Sequence, residues 1–232
     1  MTRDDPAGER PGGQLLLDFP RIDPGQRPLI ETGSYSAAVG AIRRWRHWPG
    51  GQLALVGEPF AGKTRLLQFW AADAGAALVT GEALARAEMD EIAQLSVSAL
   101  AIDNADHPDA ALGLLAALNL CRDRGAPVLV SGTAEPAGWF ARPLDLKSRL
   151  VAMPVAHIEP PDDETLALRL REECALRHLI LPDESVAYLA NRIERSWGVV
   201  GLVADQIERT PGRAENLRAA RAVLVALGMD PG

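Results

Sequence analysis

The chain has 232 residues and a mass of 24.8 kDa, enough to bury a sizeable core as one large domain or two small ones, which excludes a disulfide-stapled mini-protein. Apolar residues at 47%, charged residues at 24% and a mean hydropathy of −0.02 describe an ordinary globular chain, and the longest apolar run, Ala110 to Cys121, is broken by Gly113 and Asn119 and falls short of the ~20 residues that cross a bilayer. A net charge of −7 and a pI near 5.2 exclude a protein that coats DNA through a continuous basic face, because such binding neutralises phosphates with Lys and Arg.

Residues 1–28 are rich in Pro, Gly and charge without helical period, and predict an extended arm. One apolar cluster interrupts it, Gln14-Leu15-Leu16-Leu17-Asp18-Phe19. Closely spaced large apolar side chains on such an arm either fold back onto the domain or fill an apolar pocket of a partner, with Gln14 supplying oriented hydrogen bonds. The N-terminus has no basic segment followed by an apolar one, so no secretory signal is expected, and the reading is cytoplasmic with no membrane contact.

From Ser34 to Trp48 the positions Tyr35, Ala38, Val39, Ile42 and Trp45 follow helical spacing, with Ser34 as N-cap and Pro49-Gly50-Gly51 as the stop. Short apolar runs then alternate with helical stretches. The runs are Leu53–Val56, Ala76–Thr80, Ala99–Asp103, Pro127–Ser131 and a weaker one near Val151–Ile158. The helices fall near Lys63–Ala74, Glu82–Gln94 and Pro108–Arg124. Buried strands separated by crossover helices predict a mostly parallel sheet in an α/β domain. After Pro160-Pro161 only helices follow: one capped by Asp162 or Asp163 and running to Arg177, then Pro182–Arg195, Val199–Arg209 and Gly212–Leu227. The predicted organisation is an arm over 1–28, an α/β domain over 29–160 and a small all-helical domain over 161–232. Cys121 and Cys174 sit far apart in helical stretches without metal-ligand spacing, and read as buried thiols.

Leu53–Val56 leads into Gly57-Glu58-Pro59-Phe60-Ala61-Gly62-Lys63-Thr64, and Arg65 continues into a helix. This is the phosphate-loop pattern in its required strand-loop-helix context. The glycines let the backbone curl so that its N–H groups face phosphate oxygens at a helix N-terminus. Lys63 would reach the β- and γ-phosphates, and the Thr64 hydroxyl would ligate Mg²⁺. The bland alternative is a glycine-rich structural turn. Ala99-Leu-Ala-Ile-Asp103 is an apolar strand ending in an acid, one βα unit later, where a second Mg²⁺-positioning group belongs. Asn104 follows; an amide orients water but accepts a proton poorly, so weak intrinsic hydrolysis is expected.

With these residues the chain resembles the AAA+ ATPases of the DnaA replication-initiator group, and among them the short Hda-like regulatory homologues, from the Gln14 cluster to about Leu227. The family fold is a P-loop α/β domain with a parallel sheet followed by a small helical lid. Leu100-Ala-Ile-Asp-Asn104 resembles the Walker B segment, Leu129-Val-Ser-Gly-Thr133 the sensor 1 strand, and Leu144-Asp-Leu-Lys-Ser-Arg-Leu150 the box VII segment. The resemblance implies that Gly57, Glu58, Pro59, Phe60, Ala61, Gly62, Lys63, Thr64, Arg65, Asp103, Asn104 and Thr133 hold ADP or ATP, with Thr64 and Asp103 on Mg²⁺. It implies that Arg149 is an arginine finger acting in trans, against the ordinary reading of a surface ion pair; Arg142 is a second candidate. It also implies that Gln14, Leu15, Leu17, Asp18 and Phe19 bind the sliding clamp, the β subunit of DNA polymerase III.

One departure stands out: Gly198 falls where the family places a lid arginine, sensor 2, that contacts the nucleotide, leaving Arg192 or Arg195 as substitutes. The function implied is regulation of replication initiation: the protein binds the clamp, meets DNA only through it, and stimulates hydrolysis of DnaA-bound ATP. The chain as read leaves no room for an additional C-terminal DNA-binding domain, in keeping with this. Three other readings stay open: an independent AAA+ ATPase that loads or remodels a partner, a small-molecule phosphotransferase, and a clamp-bound adaptor without catalytic contribution. AAA+ domains assemble through nucleotide-bridged interfaces, which also leaves a homodimer open.

Overall fold

The computed structural model describes residues 29, 31, 33–95, 97–210 and 214–229. The Gln14–Phe19 cluster lies outside the described residues. Five parallel strands, β1 (Gln52–Val56), β2 (Ala77–Thr80), β3 (Leu100–Asp103), β4 (Val128–Gly132) and β5 (Val155–His157), form one sheet in the order β2-β3-β4-β1-β5. Every residue of β3 and β4 is buried, because helices cover both faces of the sheet, and so their sequences run apolar without alternation.

The helices of the α/β part are α1 (Ser36–Arg43), α2 (Lys63–Ala74), α3 (Gly81–Arg86), α4 (Met89–Ala93), α5 (Ala111–Arg124) and α6 (Leu144–Ala152). Val39 and Ile42 of α1 and Leu66, Leu67 and Trp70 of α2 pack on one face of the sheet, with Trp48 stacked on Trp70 at 5.3 Å. Leu84, Ile92, Leu114, Leu118, Leu146 and Leu150 pack on the other. Helices α7 (Asp163–Leu176), α8 (Asp183–Ala190), α9 (Trp197–Arg209) and α10 (Leu217–Ala226) form the helical lid around Leu166, Leu170, Leu189, Val203, Ile207 and Val223. Cys121 and Cys174 are both buried free thiols.

The parallel register aligns the carboxyl ends of the central strands: Val56 pairs with Gly132, Leu55 with Ser131 and Thr80 with Asp103. Side chains and loops leaving those ends therefore converge on one crevice, the usual place for a ligand in an open α/β sheet.

Several boundaries differ from the sequence expectation. The helix expected over 82–94 is two helices, since Ala87 is extended and the Glu88 N–H donates to Glu91 Oε2 at 2.9 Å to open α4. Val151 and Ala152 belong to the end of α6, not to the fifth strand, which is confined to Val155–His157. Helix α8 stops at Ala190, and the turn that follows buries Ile193 in the lid. Helix α9 begins at Trp197, two residues early, because the Ser196 hydroxyl caps it by accepting from Gly198 N–H. Asp162 caps α7 as expected by accepting from Thr165 N–H at 2.7 Å, and the Thr165 side chain, then this backbone bond, lower its pKa. Among the described residues no helix is long and apolar enough to cross a membrane.

Candidate nucleotide site

The loop between β1 and α2 is built around glycine. Gly62 has φ +80°, and a Cβ there would lie 2.8 Å from Tyr35 Oη; a Cβ at Gly57 would lie 3.1 Å from Ile158 Cβ. Gly62 therefore demands the absence of a side chain, for its left-handed backbone and its close approach to Tyr35, and Gly57 leaves little room for one. Lys63, almost fully buried, donates from Nζ to the carbonyl oxygens of Gly57 and Glu58, each at 2.8 Å. The loop thus closes around its own ammonium group, and the third donor of that group is available to an anion. Burial lowers the pKa of Lys63, against the opposing pull of the Asp106 and Asp103 carboxylates.

Asp103 is the junction of the site. Its Oδ2 accepts from the Thr64 hydroxyl at 2.6 Å, and its Oδ1 accepts from the Ser131 hydroxyl at 2.6 Å. Ser131 Oγ in turn accepts from Asn104 N–H at 3.0 Å, which holds Asn104 in a left-handed conformation with φ +51°. The hydroxyl of Thr64 and the carboxylate of Asp103 are hard oxygen donors side by side, a chemistry that would fit Mg²⁺. Among the described residues no cluster of three or more His, Cys, Asp or Glu could hold a metal alone.

A cavity of about 880 Å³ opens between this loop and the lid, within the range of small-molecule sites. Pro59, Phe60, Gly62, Lys63, Thr64, Asn104 and Thr133 line it from the α/β side, and Arg169, Glu173, Glu194, Trp197, Gly198 and Asp205 are among the lid residues facing them. Most of the expected set is thus brought together. Gly57, Glu58, Ala61 and Asp103 are not part of the lining, though Gly57, Glu58 and Asp103 bond to Lys63 or Thr64, and Arg65 turns away to Glu172 on α7 at 2.9 Å. Thr133 reaches the cavity, but its N–H and hydroxyl both bind Asp106 Oδ2, at 2.8 and 2.7 Å. Arg149 lies outside the cavity lining on α6, held by both its Nε and Nη2 to the Asp145 carboxylate, at 3.3 and 3.2 Å. Gly198 does line the cavity, whereas Arg192 stacks on Tyr188 and Arg195 pairs with Asp163.

Three participants carried no signal of their own in the sequence. Ser131 falls inside the sensor 1-like segment Leu129–Thr133, but the resemblance implies a role only for Thr133 of that segment. Tyr35, expected only as a helix face position, donates its hydroxyl to the Ala61 carbonyl at 2.8 Å and packs against Trp197 with ring centroids 4.8 Å apart and planes tilted by 52°. Arg169, on a lid helix of unremarkable pattern, is the arginine that faces the cavity, paired with Glu172 at 2.9 Å through Nη1 while its buried Nε has no hydrogen-bond partner among the described residues.

A five-stranded parallel sheet in this order, with the phosphate loop after β1 and an acid at the end of β3, defines a P-loop α/β fold with a helical lid. Solved structures give it a more particular place. The chain is similar to domain III of the replication initiation protein DnaA from Thermotoga maritima, at 22% identity and a TM-score of 0.69, covering 88% of this chain and 95% of that one. It is similar to AMPPCP-bound DnaA from Aquifex aeolicus, at 15% identity and a TM-score of 0.62, covering 82% of this chain and 66% of that one. A variant of Thermotoga maritima RuvB matches at 15% identity and a TM-score of 0.61, covering 85% and 69%. No family model and no curated protein matches the sequence. The fold is the one these DnaA and RuvB structures share.

Proposed function

We propose that this chain binds an adenine nucleotide in the cavity above Lys63 and serves as a regulator of replication initiation, with residues 29–160 as the nucleotide-binding domain and 161–232 as its lid. The observation that carries the reading is the contact of Thr64 with Asp103 beside Asn104. It joins a complete phosphate and Mg²⁺ cradle to a position where an amide replaces a proton acceptor. A solved DnaA with this fold holds AMPPCP, which supports an adenine nucleotide as the ligand here. Mg²⁺ on Thr64 and Asp103 would neutralise phosphate charge.

In this reading the protein's own turnover is slow, and its chemical contribution is made elsewhere. Arg149 stands on α6 outside the cavity, so its guanidinium serves a nucleotide held by another protein. There it would stabilise the charge that builds on the γ-phosphoryl oxygens as the bond to the leaving oxygen breaks. The partner is DnaA, and the Gln14–Phe19 cluster tethers the assembly to the sliding clamp, so that DNA is met only indirectly.

The experiment is hydrolysis of ATP already bound to DnaA, with clamp loaded on DNA, comparing the wild-type chain with Arg149→Ala. Stimulation that disappears in the variant supports the regulator. Equal stimulation by both leaves an adaptor as the better account, and rapid turnover without DnaA favours an independent ATPase. Clamp affinity unchanged by Gln14→Ala with Phe19→Ala would sink the tether.

A further inference from the structure

Phe60 stands apart from the rest of the phosphate loop. Its φ of +66° lies in the left-handed region, where a bulky side chain is costly, and the residue is 76% exposed despite being apolar. Glycine at position 60 would relieve both conditions, so the aromatic ring needs a reason.

The reason lies across the cavity. A Cβ built at Gly198 would stand 3.4 Å from Phe60 Cδ2 and 3.8 Å from Cε2, so the ring already reaches the backbone at the start of α9 and fills the space a longer side chain there would enter. The preceding residue is anchored on the other side of the loop. Trp197 is buried, donates from Nε1 to the Glu159 carbonyl at 3.2 Å and packs on Tyr35, whose hydroxyl donates to the Ala61 carbonyl. Two consecutive residues of α9 therefore grip the phosphate loop, Trp197 through Tyr35 and Gly198 through Phe60.

We propose that Phe60 is a positioning residue of the nucleotide site, a spacer whose ring sets the distance between the phosphate loop and α9, with Gly198 as its matched partner. The inference rests on the cavity being a nucleotide site. The contact is apolar and internal to the chain, so the lid is held without drawing on phosphate charge. A lid closed by a charged side chain responds to the number of phosphates; this one keeps its position whether the cavity is empty or filled.

The test uses the full chain with Phe60→Gly, Gly198→Leu and the double variant. It reads backbone amide exchange over residues 198–203 without nucleotide, and release of a fluorescent ADP analogue. Phe60→Gly is expected to hold or raise Tm, since glycine suits the left-handed backbone, yet to speed both exchange and release by about tenfold. Gly198→Leu is expected to speed both in the wild-type background and to add nothing once Phe60 is gone. Unchanged exchange in Phe60→Gly, or additive effects of the two substitutions, would overturn the proposal. Failure of the underlying reading is separate: if Lys63→Ala still holds the analogue as tightly as wild type, the cavity is not the nucleotide site and Phe60 has no role in it.

Discussion

Arg65, the residue directly after Thr64, reaches from α2 to Glu172 on α7 at 2.9 Å, and Arg169 meets the same carboxylate oxygen at the same distance. One lid carboxylate thus lies between a guanidinium next to the phosphate loop and a guanidinium that faces the cavity. The side chains are 18%, 27% and 18% exposed for Arg65, Glu172 and Arg169, which leaves them less screened by salt than a surface pair. Tyr35, beside them, feels the same charges. The lid is tied to the phosphate loop by two devices of different chemistry, this ionic bridge at α7 and the aromatic contacts at α9.

Removing the shared carboxylate should loosen the first device. Glu172→Ala removes the carboxylate shared by two largely buried guanidinium groups, and the expected loss is about 1–2 kcal/mol of stability, between the values for surface and fully buried pairs. Urea unfolding at low and high salt measures it. A loss under about 0.5 kcal/mol would mean that the bridge contributes no more than an ordinary surface pair.

Ser131 is the hidden support of the Asp103 carboxylate. It is fully buried and both donates to Asp103 and accepts from Asn104 N–H. Ser131→Ala leaves Asp103 with one partner fewer and the Asn104 N–H with only its longer bond to Asp103 Oδ1, at 3.2 Å. A cost of about 1–3 kcal/mol is expected for such a loss at a buried polar group. Calorimetric titration should show Mg²⁺-dependent nucleotide affinity falling with it, while affinity without Mg²⁺ changes less. A uniform drop in both would place Ser131 in general packing instead.

The contrast between Ser131 and Lys63 shows what was legible in the sequence. Lys63, Thr64 and Asp103 belong to patterns whose spacing along the chain encodes the chemistry, and the alternation of apolar runs with amphipathic stretches predicted the parallel α/β layer. Ser131, Tyr35 and Glu172 act through contacts across the fold, in bonds between residues separated by 26 to 107 positions, Arg169 joins them only through Glu172, and no local period marks any of the four. The break between α3 and α4 was equally invisible, because neither proline nor glycine produces it. The misread fifth strand has a different origin: Val151 is apolar yet 61% exposed on α6, and a sequence pattern takes such a residue for core.

Alkaline pH should weaken the fold in a defined window. Burial pushes the Cys121 and Cys174 thiols from an ordinary 9.0 up to about 11, and the Tyr35 phenol from 10.0 up to about 12. Each raised value means that the folded state prefers the neutral form. That stability is complete below the unfolded pKa and is lost as pH rises through the folded one. Lys63, with its pKa lowered from 10.5, works in the opposite sense, but it is one group against three. Unfolding free energy is expected to fall between pH about 9 and 11, at no more than about 1.4 kcal/mol per unit for each group. Urea titrations at pH about 8.5 and about 10.5 measure the fall, and Tyr35→Phe should flatten the part above pH 10. A constant value across the window would show that the thiols ionise freely in the folded protein.

Arg149 is tethered, and the tether can be cut without touching the arginine. Its partner Asp145 is one helical turn away on α6 and largely exposed. An exposed pair at this spacing contributes only about 0.3–0.5 kcal/mol; with Arg149 itself 20% exposed this pair contributes somewhat more, but Asp145→Ala should still unfold near the wild-type urea concentration. The guanidinium is then free to turn outward, and stimulation of ATP hydrolysis on DnaA should be retained or increased. Arg149→Ala should lose it by about three orders of magnitude if the arginine completes the other protein's site. Arg149→Lys should recover little, because an ammonium cannot reproduce the planar fork that spans two phosphoryl oxygens. Stimulation that survives in Arg149→Ala but falls in Asp145→Ala would reverse the assignment, making the carboxylate the contact and α6 a docking face without a finger.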